Sequence, residues 1–478
     1  MCSIIFSRTN IELNDAAIAA GNRYARFRGP DSTSRIQFSN LPGSNYLFLH
    51  NLLDISGHTV TQPLVDGKDG QRLIILFNGE IYNHRDLGST LGDTTCIAPA
   101  YRNHGSNMGA MLDGEFSIVI YDEEQNSLHV FTDPFLTKPL YISQRIETGE
   151  LAVATCASSL ISLGFSNVEM AKPNTTYEFR FSENSFKVIT RFPIQHFDTK
   201  QHKDSYEAWT DSFISSVAKR ARHGAHFPTV YLSSGYDSGA ICQALNISGI
   251  PYDTFSITSG ENLDILRNRI RVNRRGSCRK ATCVGGLSPK MASKMQSDIA
   301  LNVEPFLYQH EDLPGKVGSV HTDGGAIGVN YLAGLARQRG NLVNLSGSGA
   351  DEIISDYGFG GTKFYSHSEF GGLFPDCLDG FFPWRKFYGD SQRSYLFKDE
   401  FILGRSGIEG RYPFLDRKVV QEFLWLTAAL KNQAYKAPVA HFLNKFSYPY
   451  ETLVKRGFAP LSIKRTFTSY LRKIFPFI

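Results

Sequence analysis

No run of ~18 apolar residues occurs anywhere in these 478 residues, so a membrane-spanning helix is not expected. The start, Met1-Cys2-Ser3-Ile4-Ile5, has neither a charged n-region nor an apolar h-region, which argues against export. An excess of charge of one sign is lacking as well. The net charge is +4, too little for the concentrated basic face of a nucleic-acid binder. Cysteine is sparse, odd in number and scattered, at Cys2, Cys96, Cys156, Cys242, Cys278, Cys283 and Cys377, a pattern unsuited to a disulfide framework. These absences leave a soluble, cytoplasmic protein as the expectation, with neither membrane nor nucleic acid as partner. Its 42% hydrophobic content and its length allow two or three folded domains.

The first ~190 residues read as β-rich. Leu73-Ile74-Ile75-Leu76-Phe77 is a short apolar run ending at Asn78-Gly79, which reads as a turn pair. Phe116–Tyr121 and Leu128–Phe131 flank a polar stretch and predict a hairpin, with further strands at Leu151–Ala154 and Thr176–Phe181. Many short strands with few helices between them predict packed antiparallel sheets. After the polar segment Gln195–Lys203 the texture changes. A helix start at Asp204-Ser205-Tyr206-Glu207 precedes apolar residues at helical spacing, and strands at Thr229–Leu232, Tyr252–Thr258 and Leu342–Leu345 alternate with helical stretches. That alternation predicts a doubly wound α/β domain. The basic segment Arg267–Lys280 reads as a solvated helix face or loop. No internal repeat is evident.

Two glycine-serine turns follow predicted strands: Ser233-Ser234-Gly235-Tyr236-Asp237-Ser238 and Ser346-Gly347-Ser348-Gly349-Ala350-Asp351-Glu352. Backbone N–H groups at such strand-to-helix turns wrap phosphate, and two of them in one sheet fit a nucleotide crevice. The lysine of a Walker loop is absent, which excludes the ordinary P-loop of γ-phosphate-cleaving ATPases. Asp237 and Asp351 suit Mg²⁺ bridging phosphates; the alternative for each is a helix N-cap. Cys2 has a chemistry of its own. Once Met1 is trimmed it carries a thiol (pKa about 8.5) and an α-amine (roughly 7.7–8.0), so the amine can serve as base for its own nucleophile. On its own, a cysteine at position 2 is more often an inert small hydrophobe.

Several motifs stand in a fixed order: Met1-Cys2-Ser3-Ile4, Arg26-Phe27-Arg28-Gly29-Pro30-Asp31, Asn78-Gly79-Glu80-Ile81-Tyr82-Asn83-His84, Leu112–Phe116, Asp133–Tyr141, Ser233–Ser238 and Gly407-Ile408-Glu409-Gly410-Arg411-Tyr412-Pro413-Phe414-Leu415-Asp416. Over nearly the whole length they resemble the glutamine-dependent asparagine synthetase family. The resemblance implies an N-terminal-nucleophile antiparallel β-sandwich with flanking helices over 1–195. It then implies a doubly wound α/β ATP-pyrophosphatase domain with helical additions over 204–478, an α/β and α+β chain overall. It implies glutamine hydrolysis through a thioester at Cys2, an oxyanion hole at Asn78 and Gly79, and Glu80 and Asp93 on the substrate's amino end. Ammonia would pass internally to a carboxylate adenylated by ATP with Mg²⁺ at Asp237 and Asp351. By the same resemblance Leu232, Ser233, Ser234, Gly235, Asp237, Ser238, Ile257, Ser346, Gly347 and Asp351 contact ATP, Ser348 faces the acceptor, and Lys455 stabilises the acyl-adenylate chemistry. The partners are glutamine and a carboxylate acceptor, a small molecule or a peptide. A homodimer is compatible with the sequence, which does not fix the oligomeric state.

The departures cluster at substrate recognition. Leu52 stands where the family keeps an arginine for the glutamine carboxylate, and an aliphatic chain does not replace a bidentate guanidinium. Ser348 replaces a glutamate, Phe397–Ile402 lacks the family's basic pattern, Ser234 replaces a glycine of the phosphate loop, and Leu136 replaces a glycine in Asp133–Tyr141. An acceptor other than aspartate is therefore expected. The alternatives are an intramolecular amide-forming cyclase, of the β-lactam-synthetase or peptide-cyclase type, and a catalytically impaired regulatory homologue.

Overall fold

A computed structural model describes residues 2–41, 44–55, 57, 60–89, 91–182, 185–308, 318–454 and 458. Two six-stranded sheets built from antiparallel ladders fill the first part of the chain. One runs, in spatial order, through Val168–Met170, Tyr141–Arg145, Glu150–Ala154, Ser3–Thr9, Ser44–Leu52 and Ser32–Leu41. The other runs through Phe186–Arg191, Thr176–Phe181, Ser127–Thr132, Gly114–Asp122, Leu73–Ile81 and Leu64–Asp66. Side chains alternate along a strand, and in Leu73–Ile81 both faces are apolar. Ile74 and Leu76 join the large core that also holds Ile4, Phe6 and Phe48 of the other sheet. Leu73, Ile75 and Phe77 face a second core with Ile97 and Tyr101 of the helix Ile97–His104. Ile18 and Leu160, from the short helices Asp15–Gly21 and Ala157–Ser162, also lie in the large core. The expected sandwich with flanking helices is thus present.

The expected turn at Asn78-Gly79 is not. The strand runs on to Ile81, with Asn78 opposite Ser117 and Gly79 opposite Phe116. Gly79 has φ +142°, and a Cβ there would lie 1.9 Å from the Glu115 carbonyl oxygen. Glycine serves here for close approach between neighbouring strands rather than for a turn.

The second part of the chain folds around five parallel strands in the spatial order Cys278–Val284, Tyr252–Ile257, Pro228–Tyr231, Val343–Leu345 and Glu409–Arg411. In chain order this is 3-2-1-4-5, a doubly wound sheet. The order reverses between Pro228–Tyr231 and Val343–Leu345, and the two glycine-serine turns follow those two strands. Ligands of such sheets bind outside the carboxyl ends at that reversal.

The two parts meet on buried charge. Arg28 Nη2 lies 2.7 Å from Glu400 Oε2, and Lys138 Nζ lies 3.2 Å from Glu400 Oε1 and donates to the Gly410 carbonyl at 2.7 Å. The Tyr412 hydroxyl donates to Glu400 at 2.8 Å. Glu115 accepts from Arg220 Nε at 2.6 Å and from the Tyr412 N–H at 2.9 Å. All five of these charged side chains are buried. Each needs its partners, since an unpaired buried charge is strongly destabilising. Among the described residues no helix is long and apolar enough to cross a membrane.

Candidate active site

A cavity of about 390 Å³ opens at the reversal of the parallel sheet. Leu232, Ser233, Gly235, Asp237, Ser238, Ile257, Ser346, Gly347, Ser348 and Asp351 all line it. Ser234 is not in the lining. Its N–H donates to Glu261 Oε2 at 2.5 Å and its hydroxyl bonds the same oxygen, so the residue that replaces glycine is turned onto Glu261 instead. The loop runs into the helix Tyr236–Ile247, whose first-turn N–H groups favour an anion. A Cβ on Gly347 would lie 2.7 Å from that of Asp237, so glycine lets the two turns approach. Lys455 lies outside the described residues, while Phe458 lines the cavity.

Asp237 and Asp351 converge on one nitrogen. Lys436 Nζ donates to both oxygens of Asp237, at 2.7 and 2.8 Å, and lies 2.9 Å from Asp351 Oδ1. Neither aspartate is a helix N-cap, since Gly235 and Gly349 hold those positions. Beside Lys436 both carboxylates also line the cavity, a donor pair of the kind Mg²⁺ takes alongside phosphate oxygens, so the residues fit that ion. Lys436 is buried with φ +50°, and the two carboxylates overcome its burial to hold its pKa above the ordinary lysine range. Beneath the first turn, buried Arg269 donates through Nη1 to the carbonyls of Ser233 (2.7 Å) and Gly235 (2.6 Å), and through Nε to Pro449 (2.8 Å). Arg267, Arg271, Arg274, Arg275, Arg279 and Lys280 are exposed, as the basic segment predicts; Arg269 is the exception.

The wall of this cavity also carries Asp323, Lys398 and Asp399. The hydroxyls of Ser346 and Ser348 donate to Asp399 Oδ2 at 2.8 and 2.7 Å. Burial pushes the Asp399 carboxyl up. Lys398 Nζ lies 3.7 Å from Asp323 and 4.6 Å over the Tyr395 ring. The stretch 397–402, read from sequence as lacking a basic pattern, thus sends one lysine into the wall.

A second, smaller cavity of about 50 Å³ surrounds Cys2, with Leu52, Gly79, Glu80, Asp93 and Glu409 in its wall. Burial pushes the Cys2 thiol up, so attack requires a base beside it. Asn78 is fully buried beside this wall in sequence but not part of it, and neither atom of its carboxamide has a partner among the described residues. Glu80 is held from the other half of the chain: His223 Nε2 lies 2.6 Å from its Oε2 and Arg411 Nη2 lies 3.1 Å from its Oε1. Asp93 Oδ2 accepts the Ile81 N–H at 3.0 Å and lies 3.8 Å from His223 Nε2. Burial lowers the His223 pKa, but the Glu80 and Asp93 carboxylates together outweigh it, giving about 10, so the imidazole is charged at neutral pH. Sequence reasoning missed His223, for which no local signal exists. Glu409 and Arg411 lie inside the Gly407–Asp416 motif, which was recognised without roles for its members.

A family profile described as a glutamine amidotransferase domain matches residues 1–209, and one described as asparagine synthase matches residues 208–401. Among curated proteins, a putative glutamine-hydrolysing asparagine synthetase 1 of Methanocaldococcus jannaschii is 23% identical over 410 residues, 79% of this chain and 68% of that protein. A putative glutamine-hydrolysing asparagine synthetase of Mycobacterium tuberculosis is 26% identical over 391 residues, 72% of this chain and 57% of its own length. The glutamine-hydrolysing asparagine synthetase of Brassica oleracea is 32% identical over 230 residues, 46% of this chain and 37% of that protein. The chain thus spans between about two thirds and little more than a third of these relatives.

Proposed function

This chain belongs to the glutamine-dependent asparagine synthetase family, a family of glutamine-hydrolysing carbon–nitrogen ligases, and from that premise we propose a two-cavity amidotransferase with a specialised acceptor. Cys2 attacks a primary amide, the oxyanion is met by donors at Asn78 and Gly79, and a thioester forms as ammonia leaves. Water then releases the acid and frees Cys2. In the larger cavity a carboxylate attacks the α-phosphorus of ATP, pyrophosphate departs, and ammonia displaces AMP from the acyl-adenylate to give the amide. Asp237 and Asp351 would hold Mg²⁺, which neutralises charge on the pyrophosphate as it leaves. Lys436 sits between the same two carboxylates and keeps them in place. Arg269 braces the carbonyl side of the phosphate turn so that its N–H groups face the cavity.

The convergence of Asp237 and Asp351 on one point in a cavity lined by both glycine-serine turns carries this reading. An acceptor other than aspartate is supported by Ser348, which stands in place of a glutamate and donates to Asp399, and by Lys398, whose ammonium already has Asp323 3.7 Å away. Its test is a screen of carboxylates for release of AMP and pyrophosphate, with glutamine and with ammonia as nitrogen source. AMP from a carboxylate other than aspartate supports the reading; ADP in place of AMP overturns it. Product without any added nitrogen source would favour the intramolecular cyclase.

A further inference from the structure

Two polar groups in the wall of the larger cavity have no hydrogen-bond partner among the described residues. They are the Tyr231 hydroxyl and the side-chain oxygen of Asn344, both shielded from solvent. Asn344 as a whole is 3% exposed. The two strands are neighbours, with Thr229 opposite Asn344. Side chains two residues apart share a sheet face, so Tyr231 lies on the same face as Asn344. Val329 and Leu332, from the helix Gly324–Gln338, and Leu403, from the helix Asp390–Arg405, line the same cavity with aliphatic surface. Asp399 acts electrostatically on Tyr231, but its carboxylate already accepts from Ser346 and Ser348.

Unmet buried polar atoms cost free energy, and two on one sheet face in a cavity wall, diagonal neighbours across adjacent strands, point to a group that enters the cavity to meet them. We propose that Tyr231 and Asn344 form an inner subsite that takes an uncharged hydrogen-bonding group of the acceptor, a hydroxyl or an amide, beyond its reacting carboxylate. The assignment rests on the reading of this cavity as the place of adenylation. A hydroxyl or amide N–H donates to the Asn344 oxygen, while its own oxygen accepts from the Tyr231 O–H. A methyl group in that place leaves both protein atoms unmet. A carboxylate or ammonium end finds no counter-charge in these two neutral groups and is desolvated against Val329, Leu332 and Leu403.

The experiment compares acceptors of matched length that end in methyl, hydroxyl, carboxamide, ammonium or carboxylate, scored by AMP release in the wild type, Tyr231→Phe and Asn344→Leu. The wild type should use a hydroxyl or carboxamide end at least ~10-fold better in kcat/KM than the methyl end. Preference for the hydroxyl identifies a hydroxy-acid acceptor, and preference for the carboxamide a peptide-like one. Either substitution should bring that ratio close to one and leave the KM for ATP unchanged. Thermal melting of both variants gives a reading independent of turnover. Neither atom has a bond to lose, so Tm should hold or rise. An unchanged ratio, a preference for a charged or methyl end, or a Tm lowered by several degrees in both variants overturns the subsite alone. ADP in place of AMP, or no AMP from any carboxylate, overturns the adenylating reading and the subsite with it.

Discussion

The cavity around Cys2 holds about 50 Å³ and the cavity at the reversal of the parallel sheet about 390 Å³, and the two are assembled in opposite ways. The larger one is built within the second half of the chain, at the reversal of its own sheet. The smaller one needs both halves: Glu409 stands in its wall, and His223 and Arg411 hold its Glu80 from the second half. The pocket around Cys2 is finished by side chains of the second half, whereas the larger cavity is lined from the second half alone and is linked to the first half through Glu400, next to Asp399 on the helix Asp390–Arg405. The buried charges around Glu400 and Glu115 fix the two halves against each other, and so fix the smaller pocket.

Substitutions can break this asymmetry. The largest effect is expected from Cys2→Ala, which should lower amide hydrolysis by ~10³ or more while AMP release driven by free ammonia persists; loss of both activities would mean the cavities are not separable. Asp237→Asn is the converse, with ammonia-driven AMP release falling by ~10² and ammonia production from the amide donor retained. Glu400→Gln tests the junction. Removing one partner from buried Arg28 and Lys138 should cost about 3 kcal/mol in denaturant unfolding, and amide hydrolysis should suffer more than ammonia-driven AMP release.

The smallest effect concerns His223. Its folded pKa of about 10 lies above the 6.5 of a free imidazole, so its contribution to stability is complete below pH ~6.5 and is lost as pH rises through about 10. His223→Gln should therefore cost about 2 kcal/mol at pH 6 and next to nothing above pH 10, measured by urea unfolding across that range. An equal loss at both ends would assign His223 to packing rather than to its pair with Glu80.

What could be read from the residues divides along the same line as the cavities. The two glycine-serine turns are local, since strand, small residues and helix follow one another in the chain, and they line one cavity as their pattern implies. Cys2, Glu80 and Asp93 likewise line one cavity, as the family resemblance implies. Lys436 meets Asp237 from 199 residues away, and His223 meets Glu80 across the two halves, so neither contact leaves a mark in local sequence. The error at Asn78-Gly79 has a physical cause: the pair favours turns, but here a close strand pairing demands the glycine. Arg269 hid among exposed arginines of one helix, where only tertiary contact separates it from its neighbours.

The most direct test follows the nitrogen atom. The enzyme is supplied with ATP, the best acceptor from the AMP screen, amide-¹⁵N glutamine and an excess of unlabelled ammonium, and the amide product is analysed by mass spectrometry. If ammonia made at Cys2 passes internally to the adenylate, the product is enriched in ¹⁵N well above the bulk ammonium, and Cys2→Ala abolishes the enrichment. A product carrying only the isotope ratio of the solution would contradict a joined pair of cavities.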